Sequence, residues 1–246
     1  INMNDPSGMH LLTNLNFDII YEVELETAAH PAQVKFTEGG YTNVVSKSGG
    51  NRFRGDINLY FTDEKLGSTL RSEEEIIETG ASPPPFDRYL GDISLSLGGA
   101  LLEDKIWFFT NARLISLSRT TDFIPWTDPQ GNSHKNFNWR GNEKMGFLKL
   151  TSQFIPQLKV TGMLNYFNRY RSLSESHLSW NLPKEATQIL DREKNLTASG
   201  TISYIFDQNT FGDLKAGYIE HSLPLRLDGK WGDNPQYFNE GTGHFW

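Results

Sequence analysis

Gly39-Gly40-Tyr41-Thr42-Asn43-Val44-Val45-Ser46-Lys47-Ser48-Gly49-Gly50-Asn51 runs into Phe53-Arg54-Gly55-Asp56-Ile57-Asn58-Leu59-Tyr60-Phe61. How this stretch is read decides the fold. A β-rich run meets a Gly-Gly-Asn break. Beyond it, Asp56, Asn58 and Tyr60 alternate with Ile57, Leu59 and Phe61. Strict alternation marks a strand whose two faces meet different surroundings. With the wetter face turned to a lumen and the apolar face to lipid, it reads as the first strand of a transmembrane β-barrel.

The same two-residue period recurs along the chain. Segment 89–100 sets Ile93, Leu95 and Leu97 against Asp92, Ser94 and Ser96. Segment 106–117 sets Phe108, Ala112 and Leu114 against Asn111 and Arg113, and segment 143–152 follows as a further strand. In 158–170, Leu158, Val160, Leu164 and Tyr166 oppose Lys159, Thr161, Asn165 and Arg169. In 195–206, Asn195, Thr197, Ser199, Thr201 and Ser203 alternate with Leu196, Ala198, Ile202 and Tyr204, and 213–221 completes the series. Long polar connections at 62–88, 118–142 and 171–194 alternate with short turns near Glu103-Asp104-Lys105, Pro156-Gln157 and Asp207-Gln208-Asn209-Thr210. Alternating strands of about ten residues, with short turns at one end and long loops at the other, are the pattern of an outer-membrane barrel. Asp104, Asp128 and Asp207 are read as turn chemistry.

Aromatics make up 13% of the chain and gather toward strand ends. Trp107, Phe108, Phe109, Phe154, Tyr204, Phe206 and Phe211 lie near short turns, and Tyr60, Phe61, Tyr166, Phe167 and Tyr170 toward long loops. Such placement matches the two interfacial girdles of a barrel. Composition agrees. The net charge of −7 argues against a nucleic-acid partner, which calls for a basic stripe. The absence of cysteine excludes disulfide frameworks and Cys-based sites. Mean hydropathy is −0.50, and no apolar run is long enough for a membrane helix. Ile1-Asn2-Met3-Asn4-Asp5 has neither a basic start nor an apolar run, so no signal peptide is expected there, and both ends read as cuts within a larger protein.

The opening stretch, with Glu22-Val23-Glu24-Leu25-Glu26-Thr27 and Pro31-Ala32-Gln33 ahead of it, resembles the end of the plug in TonB-dependent outer-membrane receptors, particularly their Oar-like branch. Tyr41 stands where that branch usually has a small or apolar residue. Leu95-Ser96-Leu97-Gly98-Gly99-Ala100 followed by Glu103-Asp104-Lys105-Ile106-Trp107-Phe108-Phe109 is similar to the next hallmark hairpin, with Ala100 in place of a frequent Pro. The resemblance covers roughly residues 20–115. It implies an all-β fold: residues 1–50 as the C-terminal part of a plug, and 53–246 as about seven early strands of an antiparallel barrel of about 22 strands. It also implies a bacterial outer-membrane location and outer-membrane lipid as surroundings. A TonB-type energy-transducing protein would engage a missing N-terminal segment. The substrate, or a surface lipoprotein, would sit at the external loops.

Candidate ligand contacts are few. Glu73, Glu74 and Glu75 in the first long loop are charged enough to meet a cation, although such runs usually form a solvated surface. Trp126, Trp139 and Trp180 are placed in long loops, where they either stack on a flat ligand or pack between loops. The lumen-facing set Asp56, Asn58, Arg113, Lys159, Asn165 and Arg169 is expected to hydrogen-bond the plug rather than bind cargo. The six histidines are scattered, so no metal site is expected. No cofactor and no catalytic machinery are expected either. The expected function is substrate transport from the exterior to the periplasm. Two alternatives remain open: a structural or adhesive barrel that binds partners through its external loops, and a soluble all-β carbohydrate-binding module.

Overall fold

The computed structural model describes residues 15–26, 41–67, 87–120, 126–127, 133–134, 138–172, 188–227, 238–239 and 244–245. Its main body is one antiparallel sheet. Strands β1 (Ile20–Glu26) and β2 (Tyr41–Ser46) form a separate two-stranded ribbon. The sheet itself comprises β3 (Arg54–Asp63), β4 (Asp87–Leu102), β5 (Ile106–Thr120), β8 (Asn138–Ile155), β9 (Leu158–Arg171), β10 (Gln188–Ile205) and β11 (Phe211–Ser222). Between β5 and β8 lies the small ribbon β6 (Trp126–Thr127) and β7 (Ser133–His134). A short β12 (Leu225–Leu227) pairs with β10, and β13 (Phe238–Asn239) pairs with β14 (His244–Phe245). The spatial order β11-β10-β9-β8-β5-β4-β3 is a plain meander, every long strand lying beside its sequence neighbour. The sheet is open, with β3 and β11 at its edges.

Register places the expected partners on common faces. Asp56, Asn58 and Tyr60 of β3 lie opposite Ser96, Ser94 and Asp92 of β4, and Ile57 and Leu59 opposite Leu95 and Ile93. In β9 and β10, Asn165 meets Thr197 and Leu164 meets Ala198. The burial is inverted relative to a water-soluble sheet. Asp92, Ser94, Ser96, Asn111, Thr151, Asn165, Glu193 and Asn195 are buried, whereas Ile57 and Leu59 are 69% and 70% exposed and Leu95, Leu97, Leu114, Leu164, Ile202 and Leu214 also face outward. No helix among the described residues is long and apolar enough to cross a membrane.

All three short turns fall at one end of the sheet and all three long connections at the other. In the first turn Asp104 takes a left-handed conformation (φ 59°). In the third, the backbone N–H of Asn209 donates to Asp207 Oδ1 at 2.8 Å, which holds that carboxyl below its usual range. Asp104 and Asp207 thus act as turn residues; Asp128 lies outside the described residues.

Several strands are longer than the periodicity predicts. The connections expected at 118–142 and 171–194 shrink, because β5 runs to Thr120, β8 starts at Asn138, β9 reaches Arg171 and β10 starts at Gln188. The reason lies in the added residues. Arg140, Asn142 and Lys144 face outward and Gly141 and Glu143 inward, so neither face is apolar and no alternation shows. In β10 a bulge between Leu190 and Glu193, with Arg192 at φ 61°, interrupts the two-residue period itself.

The aromatic reading is corrected in part. Phe61, Phe154, Tyr166, Tyr204, Phe206 and Phe211 are exposed, as a girdle requires. Tyr60, Trp107, Phe109 and Phe167 instead lie on the inner face, in register with Asp92, Ala100, Gly98 and Asn195. Phe167 is wholly buried, and Phe109 and Phe147 pack around Ile19 of the N-terminal segment.

That segment enters the inner face through a tight crossing. A Cβ on Gly49 would lie 2.8 Å from the Gly99 carbonyl oxygen and closer still to that of Phe108, both unyielding backbone atoms. Gly49→Ala is therefore expected to destabilise the protein by about 1–3 kcal/mol. Denaturant unfolding measures the loss, and hydrogen exchange should localise the loosening to the β4–β5 turn.

Candidate functional site on the inner face of the sheet

Residues 15–20 and 46–51 lie against the polar face, and the contact is built on amide chemistry. A buried Asn has two donors and an acceptor to satisfy. Asn16 caps the short 3-10 turn Phe17–Ile19, its Oδ1 accepting from the Asp18 N–H at 3.2 Å. Its Nδ2 donates to Asn111 Oδ1 at 2.7 Å and to Ser94 Oγ at 3.3 Å. Asn111 Nδ2 in turn donates to Ser94 Oγ and Ser96 Oγ, each at 3.0 Å. Arg113 closes the network: its Nη1 donates to Asn16 Oδ1 at 3.0 Å and its Nε to Asp92 Oδ1 at 2.9 Å. The strand period sets Asp92, Ser94 and Ser96 on one face of β4, and register puts Asn111 and Arg113 beside them.

Further contacts pin the segment on either side. Asn58 Nδ2 donates to Asp18 Oδ1 at 3.2 Å. Lys149 Nζ donates to the Ser46 carbonyl oxygen at 3.0 Å and to its Oγ at 3.1 Å. At the short-turn end, Trp107 Nε1 and the Asp104 N–H both donate to Asn51 Oδ1, at 2.7 and 3.0 Å. Toward the long connections the same face carries ion pairs: Arg169 Nε donates to Glu193 Oε2 at 2.7 Å, and Arg171 lies 3.2 Å from Glu143. His221 Nε2 lies 3.5 Å from Glu193 Oε1.

The expected site residues divide accordingly. Of the set expected to hydrogen-bond a plug, Asn58 and Arg113 donate to Asp18 and Asn16 of the N-terminal segment. Arg169 pairs within the sheet, Asn165 is buried, and Asp56 and Lys159 remain exposed on the same face. Trp139 is not a loop residue: it belongs to β8, is 2% exposed, and lies beneath the Arg119 and Arg171 guanidiniums at 5.8 and 5.5 Å from its ring centre. The backbone of Trp126 pairs with His134, while its side chain, Trp180, Glu73, Glu74 and Glu75 lie outside the described residues. Sequence reasoning missed Asn16, Asp18, Ser46 and Lys149. No periodic pattern marks the first three, and only their partners on alternating strands hint at them. Among the described residues, no group of three acidic or histidine side chains is arranged to hold a metal.

The inner face therefore docks a chain segment through hydrogen bonds, one of them from the Arg113 guanidinium that Asp92 holds within the sheet. Against this geometry, comparison with known proteins adds one partial likeness. Over 111 residues, 44% of its length, the chain is 31% identical to the TonB-dependent transporter Oar of Myxococcus xanthus. The match supports a relationship to the TonB-dependent receptors at family level. It covers 10% of that transporter's length, so the chain spans a small part of its relative. No family model and no solved structure matches the chain.

Asp92 and Arg113 keep side-chain exposures of only 8% and 18%. Arg113→Met leaves the Asp92 carboxylate buried without its partner and is expected to cost about 3–5 kcal/mol in denaturant unfolding. Adding Asp92→Asn should restore part of the loss. Asn16→Ala is expected to cost about 1–3 kcal/mol by stranding its partners, with faster proteolysis within 15–26 while the sheet stays protected.

Proposed function

We propose that the chain is part of an outer-membrane TonB-dependent transporter that moves a substrate from the exterior to the periplasm. On this reading, residues 1–50 are the C-terminal part of a plug and 53–246 hold the first strands of a barrel. The short turns face the periplasm and the long connections the exterior, where substrate binds. A TonB-type protein in the periplasm supplies the energy that loosens the plug.

The observation that carries the reading is the inverted sheet. A soluble carbohydrate-binding module gains its stability by burying apolar side chains at about 25 cal/mol per Å². Here that surface lies outside and the polar face is covered by a docked segment. Lipid is the surroundings in which such an arrangement is stable. The one-sided long connections and the likeness to a transporter support the same conclusion.

The chain has no cysteine of its own, so a single cysteine placed in it reports the position of that site. In cells carrying the full-length protein, a membrane-impermeant maleimide is expected to label Gly67→Cys at once. Glu103→Cys and Gln157→Cys should react only after the outer membrane is permeabilised. Labelling of the turn positions in intact cells, or recovery of the protein without detergent, would refute the reading. Periplasmic crosslinking of the full-length protein to a TonB-type partner tests the energy coupling.

A further inference from the structure

The outer face is apolar only up to a sharp line. On β9 the outward residues Leu158, Val160, Gly162, Leu164 and Tyr166 make an uncharged band, and on β10 Leu196, Ala198, Gly200, Ile202 and Tyr204 continue it. Each band spans nine residues, close to the roughly 9–11 that a tilted strand needs to cross the hydrocarbon core. Immediately beyond it, toward the long connections, register sets Lys144 of β8 opposite Asn168 of β9, and Asn168 opposite Lys194 of β10. Strands in a sheet lie about 4.8 Å apart, so the two lysines stand about 10 Å apart on one level. Both are exposed, and neither has an ion-pair partner among the described residues. Arg140, four positions further out on β8, is exposed on the same face.

Nearby acid does not neutralise the row. Glu220 of β11 sits opposite Leu196, one level inside the apolar band, and accepts a hydrogen bond from the Tyr218 hydroxyl at 3.2 Å. At the short-turn edge of the band the outer face carries exposed Tyr204, Phe206 and Phe154 instead. The charge is therefore one-sided, and it lies where headgroups meet acyl chains.

We propose that Lys144 and Lys194, flanking Asn168 and reinforced by Arg140, form a binding site for the phosphate-bearing headgroup of a lipid in the outer leaflet. This rests on the membrane reading above and names the lipid chemistry the outer wall selects. The two flexible ammonium groups converge on one phosphate above Asn168, whose own side-chain amide is held by the Glu193 carbonyl oxygen at 3.2 Å. The lipid's acyl chains continue over Tyr166, Leu164, Leu196 and Ala198. Charge complementarity at the edge of an apolar face commits the site to a lipid, because a free anion would gain nothing from the band below.

The test uses full-length protein in phosphatidylcholine nanodiscs doped with phosphatidic acid, with bound lipid counted by native mass spectrometry. Each of Lys144→Gln and Lys194→Gln should weaken phosphatidic acid retention by about 5-fold, and the pair by about 25-fold. Phosphatidylcholine retention should not change. Gln substitution of exposed residues leaves the fold intact, which heat-modifiable migration on gels verifies. Equal retention by a folded, detergent-dependent double variant overturns this inference alone. Full displacement of the lipid by millimolar inorganic phosphate overturns the commitment to a lipid. A protein recovered without detergent defeats the membrane reading, and this site with it.

Discussion

Every polar side chain on the covered face of the sheet must find a hydrogen-bond partner, and that requirement organises the structure. An unsatisfied buried donor or acceptor costs about 1–3 kcal/mol, more when charged. Asn111 therefore cannot face an apolar core. It is satisfied by Ser94 and Ser96 from the neighbouring strand and by Asn16 from the docked segment. Arg113 is held in the same way between Asp92 and Asn16. Because the partners come from three separate stretches of chain, the network specifies one docking register. It also leaves the apolar residues of alternate positions with nowhere to go but outward. The inversion of the sheet follows from its inner face.

The sequence made this architecture legible wherever the two faces differ in kind. From Ile57 to Phe61 and from Ile93 to Leu97, apolar and polar residues alternate without fault, and the strands stand where the period predicts. Legibility fails where the contrast vanishes. Strand β8 begins with Asn138-Trp139-Arg140-Gly141-Asn142, whose outward residues Arg140 and Asn142 are polar and whose inward ones are Trp139 and Gly141, and β10 begins across a bulge. Aromatics were the other blind spot. Residue type alone does not separate Phe167, wholly buried on the inner face, from exposed Tyr166 beside it. Only the parity of the strand does, and applying it strictly assigns Tyr60, Trp107, Phe109 and Phe167 inward. The docking residues Asn16 and Asp18 carried no local signal, since their role depends on a face assembled from residues far along the chain.

The illegible extensions have a physical meaning of their own. On the proposed function, strand β8, with 18 residues rising about 3.3 Å each, reaches roughly 40 Å along the membrane normal even when tilted by about 45°, beyond a hydrocarbon core of about 30 Å. The surplus lies at the end bearing the long connections, where the outward side chains become Arg140, Asn142 and Lys144. The loss of alternation at this level is what the proposed function requires, the strands leaving lipid there and continuing into water.

The open sheet imposes a further consequence on the membrane reading. Among the described residues, strands β3 and β11 have a ladder partner on one side only. In lipid each unsatisfied peptide group costs several kcal/mol, so a spanning sheet must close. The exposed apolar faces of Ile57 and Leu59 on β3 and of Leu214 and Tyr218 on β11 mark both edges as belonging to the same band as the strands between them. On the proposed function, additional strands must therefore pair with both edges. Their outward residues must be apolar over the same levels, and their inward residues polar enough to complete the cover of the docked segment. The inner-face network and the outer apolar band are thus two demands that one barrel wall has to meet in every strand, which is why alternation is the most informative property of this sequence.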